Sequence, residues 1–132
     1  MRNLLAAGTL LAALVLPAQA QATEWMYCID NGEEATMSLL LGATNVISID
    51  TIEMEANGKK WSTKPGDGVI TITKGQAFET DDQMWVDVTD DAVNEIVAEL
   101  RLFKAVEGED YVASGTMRIA GEGVWSMACS GP

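Results

Sequence analysis

The stretch Tyr111-Val112-Ala113-Ser114-Gly115-Thr116-Met117-Arg118-Ile119-Ala120-Gly121-Glu122-Gly123-Val124-Trp125-Ser126-Met127-Ala128-Cys129 decides the fold. Tyr111, Ala113, Gly115, Met117 and Ile119 share one side of a two-residue period, with Ser114, Thr116 and Arg118 on the other. That alternation is the pattern of a strand with one face turned to a core. Gly121-Glu122-Gly123 breaks the run, and Val124–Cys129 resumes it with Trp125, Met127 and Cys129 on one face. Two alternating runs around a glycine-rich break predict an antiparallel hairpin.

Working outward, similar runs recur between turn signals at Asn31-Gly32, Asn57-Gly58, Pro65-Gly66-Asp67-Gly68 and Glu107-Gly108-Glu109-Asp110. Asn-Gly pairs favour tight hairpins because both residues tolerate positive φ. The predicted strands are Glu24–Asp30, Ala35–Leu41, Asn45–Glu55, Lys59–Lys64, Val69–Thr73, Gln83–Thr89, Tyr111–Ile119 and Val124–Cys129. Within Asn45–Glu55 the apolar face switches from Ile47 and Ile49 to Ile52 and Met54, which a bulge near Asp50-Thr51 explains. Asp90–Lys104 is ambiguous. Val93, Ile96, Val97 and Leu100 fit helical spacing, whereas Ala98, Leu100 and Leu102 alternate as in a strand. The hairpin that follows favours a turn at Asp90–Asn94 and then a strand. The expectation is an all-β domain: a small antiparallel meander of about eight strands, closed as a barrel or a sandwich.

Of the two cysteines, Cys28 opens the strand region and Cys129 closes it. Residues 1–20 carry Arg2, an apolar run Leu4–Leu16, Pro17 and the small-x-small Ala18-Gln19-Ala20, the order of a secretory signal peptide. The apolar run is too short to span a bilayer. Residues 21–132 are then a single secreted domain, periplasmic and soluble, without membrane insertion. An oxidising compartment and one possible pairing predict a Cys28–Cys129 disulfide joining the first and last strands.

Acids outnumber bases 20 to 8 and the chain has no histidine. The net charge of −12 argues against nucleic acid, whose phosphates require a basic surface. Without imidazole, histidine-based catalysis and histidine metal sites are excluded. No cofactor motif is present. Asp87, Thr89, Asp91 and Glu95 offer hard oxygens, but Ala92 and Ala98 stand where a calcium-binding EF-hand loop needs Gly and Glu. Met26, Met84, Met117 and Met127 could bind Cu(I), but they fall in strand alternation and read as core. No activated nucleophile is visible, so the chain is not expected to be an enzyme.

Lys59, Lys60, Lys64 and Lys74 concentrate the positive charge, whereas Gly75–Leu100 holds eight acids and no base. Trp85 alternates against Met84, Val86 and Val88, and faces water if only one side of its sheet is covered. Trp85, Asp81, Asp82, Asp87, Asp90 and Asp91 are therefore the candidate partner-binding residues, and the expected partner is a basic protein. The alternative function is a carrier holding a small apolar ligand inside a barrel. Tyr27-Cys28-Ile29-Asp30-Asn31-Gly32, with a second cysteine at the far end, resembles the small periplasmic barrels that inhibit C-type lysozymes. That family's Ser-Gly-x-x-Tyr inhibitory loop is not matched, because Ser114-Gly115 continues as Thr116-Met117-Arg118. The resemblance implies inhibitor-like binding and carries over no functional residue.

Overall fold

The computed structural model describes residues 23–132; the signal-peptide assignment on 1–20 lies outside them. Nine strands follow in chain order: β1 (Glu24–Asp30), β2 (Ala35–Leu41), β3 (Ile49–Ala56), β4 (Lys59–Ser62), β5 (Ile70–Glu79), β6 (Gln83–Asp90), β7 (Ile96–Glu107), β8 (Asp110–Ile119) and β9 (Gly123–Ser130). Each pairs with its sequence neighbours, and β9 pairs with β1 to close a barrel. The closing ladder places Cys28 opposite Cys129, with Cα atoms 4.0 Å apart, and the disulfide joins the two strands there.

A closed ring of nine strands cannot be antiparallel at every join, because strand direction must reverse an even number of times around it. One parallel join is the minimum, and it falls between β4 and β5. β4 and β5 are thus not the two arms of a hairpin. Residues 63–69, carrying the Pro65–Gly68 turn, double back so that β5 starts beside Trp61. This join has two register pairs, Trp61↔Ile70 and Ser62↔Thr71.

The core is built from the inward phase of each strand. Met26, Cys28, Met37, Leu39, Ile52, Met54, Trp61, Ile72, Met84, Val86, Val88, Leu100, Leu102, Met117, Ile119 and Met127 are buried in one cluster. Unbranched methionine side chains fill the irregular space of a small barrel well. Glycine admits the tightest strand approach of the barrel. A Cβ at Gly115 would lie 1.8 Å from the Arg101 carbonyl oxygen, so β8 could not sit this near β7 with any side chain there.

Two bulges account for breaks in alternation. Leu40 pairs with Thr51 and Leu41 with Ile49, leaving Asp50 as the extra residue, where the face switch predicts it. Val88 pairs with Ala98 and Thr89 with Ile96, leaving Val97 extra and packed on the core. That second bulge puts Val97 and Ala98 in sequence against the interior and gives the segment its helical spacing; the segment is strand after a turn. Other boundaries move. Residues 45–48 precede β3 rather than belonging to it, and β5 runs on to Glu79 through an irregularity between Lys74 and Ala77. Tyr111, expected inside, is 41% exposed because β7 and β8 project past their neighbours. Asn57-Gly58 forms the tight turn expected, both with positive φ. Asn31-Gly32 does not. There the Asp30 carboxylate accepts hydrogen bonds from the backbone N–H groups of Gly32, Glu34 and Ala35 at 3.1, 2.7 and 2.8 Å, which organises a longer turn.

Candidate functional site: the outer wall of β5 to β8

Trp85 lies on the outward phase of β6 and is 47% exposed. Its cross-strand partners are Phe78 on β5 and Arg101 on β7. The Phe78 ring meets it edge-on with centroids 6.2 Å apart, and the Arg101 guanidinium lies 4.9 Å over its face. Both are favourable aromatic geometries. Phe103, diagonal to Trp85 across β6 and β7, is 68% exposed, and Phe78 is 53% exposed. Three aromatic side chains thus share one wall of the barrel, each about half exposed or more.

Arg101 is held in place from both sides. One terminal guanidinium nitrogen donates to Asp87 Oδ1 at 2.7 Å and lies 3.7 Å from Glu99. Glu99 in turn accepts from Arg118 Nε at 3.2 Å. Asp87, Arg101, Glu99 and Arg118 form a row of alternating sign across β6, β7 and β8. Each pair is partly exposed, so its contribution to stability is small. Its effect here is positional: it fixes the guanidinium over Trp85 and neutralises it.

The six candidate residues do not form one surface. Trp85 and Asp87 share the outer wall. Asp81 and Asp82 sit in the β5–β6 turn, and Asp90 and Asp91 at the opposite end of β6. Eight residues of extended chain separate those turns by about 26 Å. Several of the acids have internal work. Asp82 accepts from the Thr80 hydroxyl at 2.8 Å, and Asp90 Oδ1 accepts from the N–H groups of Asn94 and Glu95 at 2.7 and 3.3 Å. Asp81 and Asp91 are exposed. Phe78, Phe103 and Arg101 were not singled out by sequence. Strand register supplies them, since a residue directly opposite Trp85 on a paired strand must share its face.

Three ionisable groups away from this wall are perturbed: Asp30, Glu122 and Tyr111, whose hydroxyl is pushed up by burial and by the Glu79 carboxylate. Backbone donors, Ala35 foremost, hold the Asp30 carboxyl below the usual carboxylate range. Glu122, in the β8–β9 turn, is lowered by hydrogen bonds from Lys59 and Asn57 of the β3–β4 hairpin, so the two hairpins are clasped at one end of the barrel. Among the described residues no three His, Cys, Asp or Glu side chains converge as a metal site would require, and no helix is long and apolar enough to cross a membrane. The clefts lie on the outside or at the barrel mouth, such as one of about 340 Å³ bordered by Glu53, Lys60, Lys64 and Pro65. The barrel axis is occupied by core side chains, an arrangement that does not favour a ligand-carrying interior.

The chain matches no known family model, no curated protein and no solved structure. The resemblance to lysozyme-inhibiting barrels therefore rests on Tyr27–Gly32 and the disulfide. Ser114-Gly115 lies within β8 and not in a loop.

Proposed function

We propose that this chain is a non-catalytic binding module of the periplasm that docks on a basic protein, as an inhibitor or an accessory subunit of an envelope complex. The observation that carries the reading is the exposed row Phe78, Trp85 and Phe103 on one barrel wall. Exposed aromatic anchors of this kind concentrate binding energy at protein interfaces. The Asp81-Asp82 turn borders the row beside Phe103, because Gln83 pairs with Phe103. A partner cation would meet those carboxylates while its apolar surface covers the rings. The surplus of acids over bases would speed the encounter. Asp90 and Asp91 stand outside this footprint.

The test is retention of envelope proteins on the immobilised, disulfide-closed chain at low and high salt, beside a Trp85→Ala/Phe103→Ala chain. A basic protein retained at low salt, released at high salt and lost with the double variant is the expected result. Titration into a C-type lysozyme assay checks the inhibitor form directly. Failure to retain any basic protein at low salt, or equal retention by the variant, refutes the proposal.

A further inference from the structure

β4 is four residues long and stands between two much longer strands, β3 and β5. Thr63 extends its ladder to Ile52 by one step, its N–H donating to the Ile52 carbonyl at 3.0 Å. Beyond that point Ile72–Glu79 of β5 stands across a slot in the barrel wall from Ile49–Thr51 of β3 and from Ile47 and Ser48 just before it. No strand pairs with Ile72–Glu79 on that side among the described residues. Lys74 and Ala77 lie opposite the buried Val88 and Val86, and so belong to the inward phase, yet both are exposed. An inward residue stays exposed only where the wall beside it is open. Clefts of about 350 and about 280 Å³ mark the gap, one bordered by Asp50, Thr63, Lys64 and Lys74, the other by Ile49, Lys74 and Ala77. The Lys74 ammonium spans the slot and donates to the Ile49 carbonyl at 2.6 Å.

Charge selects the occupant. Of the seven cations in the described residues, Lys59, Lys60, Arg101, Lys104 and Arg118 are paired with carboxylates. The remaining two, Lys64 and Lys74, have no ion-pair partner among those residues, and both border this slot. Two acids stand on its rim: Asp50, which accepts from the Thr51 hydroxyl at 2.8 Å, and Glu79 at the far end of β5, which is already paired with Lys104. Exposed backbone along β5 supplies the edge that an extended chain needs for strand addition.

We infer that the slot between β3 and β5 is a strand-addition site for an extended acidic peptide. Its backbone would continue the ladder that β4 begins, and its carboxylates would pair with Lys64 and Lys74, the latter leaving the Ile49 carbonyl. This surface is separate from the Trp85 wall and has the opposite charge preference. The inference therefore does not depend on the proposed function.

The experiment uses the oxidised exported chain with backbone amide resonances assigned. The probe is a capped peptide of alternating Glu and Val about eight residues long, matching an open edge of roughly 26 Å. Controls are the Lys/Val peptide, a copy N-methylated on alternate residues, and acetate. Saturable shifts in the amides of 72–79 and 49–51, with slowed hydrogen exchange, are expected for the Glu/Val peptide alone. Lys64→Ala/Lys74→Ala is expected to weaken binding about tenfold, as for two partly exposed ion pairs, and Trp85→Ala to leave it unchanged. The inference is overturned by absence of these shifts at about millimolar peptide, a range that admits weak complexes. It is also overturned if the N-methylated copy or acetate reproduces them, or if the lysine variant binds equally well.

Discussion

Removing the Cys28–Cys129 bridge is the sharpest perturbation of this fold. The two cysteines are 101 residues apart in sequence, so the bridge closes nearly the whole described chain into one loop. On the chain-entropy account a loop of that size restricts the unfolded ensemble by about 4.7 kcal/mol. A domain of this length has a total stability of about 5–15 kcal/mol. Cys28→Ala/Cys129→Ala should therefore lose a third or more of its margin, with a further contribution of order 1 kcal/mol from the space left at the buried Cys28. Urea unfolding followed by tryptophan fluorescence reads this directly. The midpoint should fall by about 2–4 M, and the denaturant dependence should steepen, because an unbridged unfolded chain exposes more surface. Reduction of the wild-type chain in place should reproduce the shift and separates loss of the bridge from any defect of the double variant. A change below about 0.5 kcal/mol in both would refute the argument. It would mean that the four β1–β9 register pairs hold the seam whether or not the sulfurs are joined.

Gly115→Ala should destabilise by about 3 kcal/mol or more, because its Cβ would fall 1.8 Å from the Arg101 carbonyl oxygen and force β7 and β8 apart; thermal unfolding reads the loss, and a neutral result contradicts the close approach. Val93 is β-branched and holds φ at 59° in the β6–β7 turn, so Val93→Asn should stabilise by about 1 kcal/mol in the same assay. Asp30 binds its proton less readily folded than unfolded, so its contribution is present above the unfolded value and is lost as pH falls through the folded one. Urea midpoints measured downward from about pH 5 should therefore decline less steeply for Asp30→Asn than for the wild type, and parallel curves would exclude the turn as a source of the acid sensitivity.

Most of the barrel was legible because its strands are half-buried, so apolar and polar residues alternate visibly from Met26 to Met127. The errors fall where the backbone departs from simple pairing. The second half of β5 carries no alternation to read, since Lys74, Ala77 and Phe78 are all exposed beside the open slot. Ile47 shares parity with Ile49 yet precedes the strand, its place fixed by contact with the core and not by a ladder. The parallel join has no local signature, because it follows from counting strands around a ring. Trp85 was found by period alone, whereas Arg101 lies 16 positions away and reaches it only through the β6–β7 register. The acidic stretch misled for a related reason. Neighbours in sequence are strung along an extended strand, so Asp82 and Asp90 end at opposite rims.

Every methionine in the described residues, from Met26 to Met127, is at most 1% exposed. Thioethers are readily converted to sulfoxides, whose polarity does not suit an apolar interior. While the barrel is intact, oxidant cannot reach these sulfurs. Any molecule that opens and is caught would bear a lasting chemical mark and would be hindered from closing again. Sulfoxide content in recovered material thus becomes a cumulative clock of how often the barrel has come undone.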